Sequence, residues 1–213
     1  MTVDNAEQIR SVATQLFARH GYEGVSLQAI AERVGVTKQT LLYHFSSKDV
    51  LRRAVLDQVF AHWRERLPQM LEAVTSGHGR FDALTRELVR FFEADTDRAR
   101  LLVRELLDNP DEMRRMLADN LRPWVLLVAQ YIREGQRIGL IQADVDPEAY
   151  VLTVITLVLS SVSATGVAEA VLGDTGGNGA RAARERQLTE LLRLTKAALF
   201  KPKKDSATHK ETT

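Results

Sequence analysis

Apolar residues recur at three- and four-residue spacing along nearly the whole of this 213-residue chain, and no sustained run alternates apolar with polar. A pattern of that period buries one stripe of a helix and cannot keep one face of a strand dry, so the chain reads as all-α. Glycine and proline number only 12 and 5 and fall mostly between the stripes. With 45% hydrophobic and 27% charged residues, the chain has the composition of a folded globular protein, and disorder of the whole is excluded.

Several kinds of chemistry are absent from the sequence. There is no cysteine, hence no disulfide, thiolate nucleophile or cysteine-ligated metal. Histidines 20, 44, 62, 78 and 209 include no pair three or four residues apart, so no metal site is expected. The segment GDTGGNG at 173–179 lacks the Gly-Lys-Ser/Thr ending of a phosphate loop and reads as a surface connector. No GxSxG elbow occurs, and no enzyme activity or cofactor is expected. The N-terminus, MTVDNAEQIR, carries no apolar secretory core, which predicts a cytoplasmic protein. Tyr150 to Ala168 is 19 residues without a charge, close to a membrane span, but six hydroxyl residues and Gly166 favour a buried helix.

The first helix carries Ile9, Val12, Ala13, Leu16 and Phe17 on one stripe and ends at His20-Gly21. Ser26 caps a short second helix with Leu27, Ile30, Ala31 and Val34 inward; Gly35 supplies a turn, and Thr37 caps a third helix, Lys38 to His44. Ser46 with Asp49 forms a capping-box pattern that opens a long fourth helix, 48 to about 75. Pro68 and then Ser76-Gly77-His78-Gly79 interrupt the pattern before Phe81, Leu84, Leu88, Phe91 and Phe92 resume it. Further stripes follow at Ala99, Leu102, Val103, Leu106 and Leu107, then from Met113 to Ile132, where Pro123 predicts a kink or a new start. Asp146-Pro147-Glu148 opens a nearly charge-free helix, 147–172, and a Leu-rich one closes the series at 182–200. The boundaries that result are 1–50, 51–200 and a disordered polar tail at 201–213.

Two short capped helices joined by a glycine turn match a helix-turn-helix, whose second helix enters the major groove of duplex DNA by its N-terminal residues. The net charge is only +1, yet between Arg33 and Arg53 five basic residues (Arg33, Lys38, Lys48, Arg52, Arg53) face one acid, Asp49. Thr37, Lys38, Gln39 and Thr40 stand at the start of the third helix. Ammonium, amide and hydroxyl groups there suit base edges. Tyr43, His44 and Lys48 follow where they can bond phosphate oxygens and fix register.

These residues resemble the tetracycline-repressor-like (TetR) transcriptional regulators. The resemblance lies in Gly21-Tyr22, Val25-Ser26-Leu27, Ile30-Ala31, Val34-Gly35-Val36, Leu42-Tyr43-His44-Phe45 and Ser47-Lys48-Asp49-Val50-Leu51, and covers about the first 55 residues closely. It departs at Gln39, where members of the family often have glycine, so the operator is not transferable from a relative. The resemblance implies an N-terminal three-helix helix-turn-helix domain and a C-terminal helical effector-binding and dimerisation domain. It further implies a homodimer, paired here through 147–172 and 182–200, that binds a palindromic operator and is released by a small-molecule effector. The same architecture also serves activators and regulators controlled by a partner, and a helical enzyme is a distant alternative. Trp63, Phe92, Met113, Met116, Asn120, Trp124 and Tyr131 are the candidate effector contacts, with Phe91 as a further wall and Arg104, Glu105 and Gln130 as further polar anchors.

Overall fold

A computed structural model describes residues 4–73, 77–173 and 179–202, which form a head, a long connecting helix and a body. The head is α1 (Asn5–His20), α2 (Leu27–Val34) and α3 (Lys38–His44), and α4 (Lys48–Ala73) runs from it into the body. The body is α5 (Gly77–Glu93), α6 (Thr96–Asp108), α7 (Pro110–Asn120), α8 (Arg122–Arg137), α9 (Pro147–Ser163), α10 (Thr165–Leu172) and α11 (Gly179–Leu199).

Short helices persist in the head because both ends of each are satisfied and one face is buried. Ser26 Oγ accepts from Ala29 N and Thr37 Oγ1 from Thr40 N, each at 3.0 Å. Gly35, at φ 84, makes the turn between them. Ile9, Ala13, Phe17, Ile30, Ala31, Leu41 and Phe45 form the common underside. Their cluster continues without a break through Leu51, Val55 and Leu56 of α4 to Leu101, Leu102 and Met113, so head and body share one core.

A second cluster closes the far end of the body around Phe81, Ile132, Ile141, Val151, Leu199 and Phe200. A short antiparallel bridge between Ile141 and Phe200 ties the chain after α11 to the α8–α9 connection. There Gln142 N donates to Leu199 O at 3.0 Å, and its Nε2 donates to Ala198 O at 3.0 Å and Ala197 O at 3.2 Å. The last turn of α11 is capped by a side chain from another element.

Several sequence expectations are corrected. Ser47, rather than Ser46, caps α4, its Oγ accepting from Val50 N at 3.1 Å; Asp49 instead accepts from the Tyr22 hydroxyl at 2.7 Å. Pro68 does not end the helix, which continues to Ala73 with Leu67 and Leu71 buried on either side of it. Gly77, His78 and Gly79 belong to the first turn of α5 rather than to a linker. Leu106 and Leu107 are exposed, because the buried face of α6 is turned toward Leu101 and Glu105. Of the two outcomes expected at Pro123, a kink or a new start, the structure has the second: it opens α8. The single helix expected over 147–172 is two, bent by 75°, since Ala164 (φ −101, ψ 35) leaves helical geometry. Among the described residues no single helix is long and apolar enough to cross a membrane. Ser76, most of the 173–179 connector and the tail beyond Pro202 lie outside the described residues.

Candidate DNA-reading face and effector cavity

With Leu41 and Phe45 turned into the core, the opposite face of α3 is turned away from the packed side chains of the described residues. Thr37, Lys38 and Gln39 are exposed, Thr40 and His44 are half-buried, and Tyr43 is 86% exposed. The only ring beside Tyr43 among the described residues is His44, edge-on with centroids 5.4 Å apart. Thr37 and Thr40 are less available than their types suggest, because their hydroxyls bond each other at 2.9 Å while Thr37 also caps the helix. Lys48, at the start of α4, holds its Nζ 4.1 Å above the Tyr22 ring. Burial, and then the hydrogen bond to Asp49, push the Tyr22 hydroxyl up to about 12. Asp49 thereby fixes the platform under Lys48.

The basic patch is smaller than its sequence implies. Arg52 is buried, and its Nε donates to Glu105 Oε2 at 2.8 Å while Nη1 donates to Glu112 Oε2 at 2.9 Å. Its Nη2 approaches the same Glu105 oxygen at 2.7 Å but outside hydrogen-bonding geometry. Burial opposes the Arg52 charge, but the hydrogen bond and charge of Glu105, then those of Glu112, outweigh it and raise the pKa. Arg53 shares Glu112 at 3.0 Å. Arg52 and Arg53 therefore join the head end of α4 to α6 and α7. A third tie is Arg19 to Asp97, at 3.3 Å.

At the seam between the two hydrophobic clusters the body contains a cavity of about 200 Å³. Its wall takes Val59, Phe60, Trp63, Leu67 and Leu71 from α4, Arg80, Leu84 and Leu88 from α5, and Asn120, Trp124, Val128 and Tyr131 from α7 and α8. Tyr150, Val151, Val154 and Ile155 of α9 close it. The Tyr150 hydroxyl donates to Thr195 O at 2.7 Å, and burial pushes its pKa well up, so it stays protonated.

A sequence profile of the bacterial regulatory proteins of the tetR family matches residues 9–55, and one of the tetracyclin repressor-like C-terminal domain matches 79–191. The chain belongs to the TetR family. It is 30% identical over 155 residues to the HTH-type transcriptional regulatory protein RaaS of Mycobacterium tuberculosis, covering 67% of this chain and 62% of RaaS. It is 30% identical over 146 residues to the HTH-type transcriptional regulator RutR of Escherichia coli, covering 66% of this chain and 65% of RutR. The chain thus spans less than two thirds of either relative. The fold is shared with the ketosteroid transcriptional regulator KstR2 of Mycobacterium tuberculosis at a TM-score of 0.70 and 16% identity, covering 95% of this chain and 97% of that one.

Within this TetR architecture, Trp63, Phe92, Asn120, Trp124 and Tyr131 lie on the cavity wall. Met113 does not, being fully buried in the core shared with the head, and Met116 packs beside that core. Phe91 faces away from the cavity and stacks on His62 at 4.2 Å. Of the suggested polar anchors, Glu105 is taken by Arg52, Arg104 lies beside Gly21, and Gln130 is exposed. Sequence reasoning missed Arg80 and the α9 side chains. A signal for Arg80 exists: it is a cation in the first turn of a helix, where the helix dipole disfavours positive charge.

Proposed function

We propose that this TetR-family chain is a homodimeric, sequence-specific regulator acting in the cytoplasm, a repressor released from a palindromic operator when a small molecule occupies the cavity. Residues 1–50 form the DNA-binding head, 51–200 the effector and dimerisation body. Thr37, Lys38, Gln39 and Thr40 meet base edges, and Tyr43, His44 and Lys48 meet the phosphate backbone. The observation that carries this reading is α3 itself, a seven-residue helix whose underside is buried and whose outer face offers a phenol at 86% exposure and a run of polar side chains.

Dimerisation is supported by apolar side chains left exposed on three neighbouring helices: Leu152 and Leu157 on α9, Val167 and Val171 on α10, and Leu194 on α11. A two-fold dimer places two α3 helices in successive major grooves only when they stand about 34–36 Å apart or a compatible distance. Control of that spacing is supported by α4, which holds the head through Leu51, Val55 and Leu56 and walls the cavity through Val59, Phe60 and Trp63. A ligand that prefers a different α4 position weakens DNA binding, and DNA weakens the ligand by the same factor.

The test is fluorescence anisotropy on duplex from upstream of the chain's own gene, against scrambled duplex, over about 50–200 mM salt. Tight binding that resists the scrambled competitor, with a steep salt slope and a dimer in sedimentation, is expected. Equal weak binding to both duplexes, and to a genomic fragment pool, overturns the reading.

A further inference from the structure

The chemistry of a cavity's occupant is set by the polar groups left over once the protein has satisfied its own. Three polar side chains of the wall are already engaged. Thr85 Oγ1 donates to Phe81 O at 2.7 Å, the Tyr150 hydroxyl donates to Thr195 O, and Asn120 accepts from Arg64 at 2.6 Å and donates to Met116 O at 2.9 Å. Four others have no hydrogen-bond acceptor for their terminal groups among the described residues: the two Nη groups of Arg80, the indole N–H groups of Trp63 and Trp124, and the Tyr131 hydroxyl. Every one of these can donate, and only the Tyr131 hydroxyl can also accept.

Arg80 is the only charged residue on the wall among the described residues, and no aspartate or glutamate lines it. Its guanidinium is held from two sides, with Nε donating to Leu71 O at 3.3 Å and the plane 4.5 Å above the Tyr131 ring. Such a fork is pre-oriented for the two oxygens of a carboxylate. A cation entering the same space would lose water and meet no counter-charge, and an uncharged hydrocarbon would leave the donors unused. The rest of the wall, including Leu84, Leu88, Val128, Val154 and Ile155, offers only apolar contact.

We propose that the cavity takes a small amphipathic monoanion, a carboxylate on an aliphatic or aromatic body, with Arg80 holding the carboxylate. This rests on the effector reading given above and adds the ligand's charge and polarity to it. Trp63 and Trp124 are the only two tryptophans in the chain and both line the cavity, so the emission of the intact protein reports occupancy without DNA.

The experiment titrates the full chain with hexanoate, octanoate, decanoate and phenylacetate, with the matching alcohols, and with alkyltrimethylammonium ions of the same lengths. At least one carboxylate is expected to give a saturable change in emission at a concentration at least tenfold below its alcohol, with no saturable change from the ammonium ions. Arg80→Gln should weaken that carboxylate at least tenfold and leave the alcohol unchanged. Arg80→Lys, which keeps the charge but not the fork, should fall between, and thermal melts show that both variants fold. An ammonium ion binding as tightly as the carboxylate, no response to any carboxylate, or an undiminished preference in Arg80→Gln each overturns the proposal. Operator anisotropy separates the two readings. A carboxylate that binds without releasing DNA overturns effector release and leaves this assignment standing, whereas release by a cation with no carboxylate binding does the reverse.

Discussion

The outer face of α3 and the wall of the cavity are built on opposite plans. In the head α2 and α3 are short, their N-caps are filled and their underside is packed, so the side chains that face outward contribute little to stability and are free to specify a sequence. In the body, two separate hydrophobic clusters hold the ends while the space between them stays open. Specificity on the surface costs the fold almost nothing; specificity inside is bought with packing the body could otherwise have had.

The strongest way to break this contrast is to attack what joins the two regions. Arg52→Ala strands Glu105 in the core and is expected to cost about 3–5 kcal/mol, seen as a fall in Tm of roughly 10 °C. Replacing both partners, Arg52→Met with Glu105→Leu, should recover most of it. If the single and double variants melt alike, the pair is not what joins the regions. Tyr43→Ala and Lys48→Ala come next, and each is expected to weaken operator binding about tenfold, or ~1.4 kcal/mol, with Tm unchanged. Loss of Lys48 should also reduce the salt slope by about one. A drop in Tm of several degrees would mean that these side chains hold the head together instead.

Filling the cavity tests the other side of the comparison. Val128→Phe should raise stability by about 0.5–2 kcal/mol and leave DNA binding intact while abolishing any ligand-induced change in tryptophan emission. Lower stability would show that the wall already fills the space. The smallest effect concerns pH. Because the Tyr22 hydroxyl is raised from 10 to about 12, its contribution is complete below pH 10 and is lost as pH rises through 12. Absorbance titration should show one tyrosinate step near pH 12 that is missing in Tyr22→Phe.

The head was almost entirely legible in the sequence, because its signals are local. Ser26, Gly35 and Thr37 each act within four residues of themselves, and the chain places them next to the stripes they terminate. Ser46 and Ser47 are not distinguishable as caps in the sequence, because they present the same hydroxyl one residue apart and Asp49, three residues after Ser46, answers to Tyr22, 27 residues away. The cavity was legible only in part. The large rings of Trp63, Trp124 and Tyr131 are conspicuous in the sequence, but Met113 is also a large apolar side chain on a helical stripe and is core, and the difference is a rotation of helices about one another. Arg52 could not be told from Arg53 in the sequence. One is buried against Glu105 and the other is exposed, and their partners lie more than 50 residues away.

The buried Arg52 pair also bears on how such chains can recombine. An α4 with an arginine at this place requires α6 and α7 to bring two carboxylates to it, and helices carrying Glu105 and Glu112 require an α4 that supplies the cation. A chimera cut within α4 beyond Arg53 would leave a charge stranded in the hydrophobic interior unless residues of α6 and α7 travelled with the N-terminal part. Substitutions on α3 or on the cavity wall leave this pair untouched, whereas an exchange of segments that divides α4 beyond Arg53 breaks it.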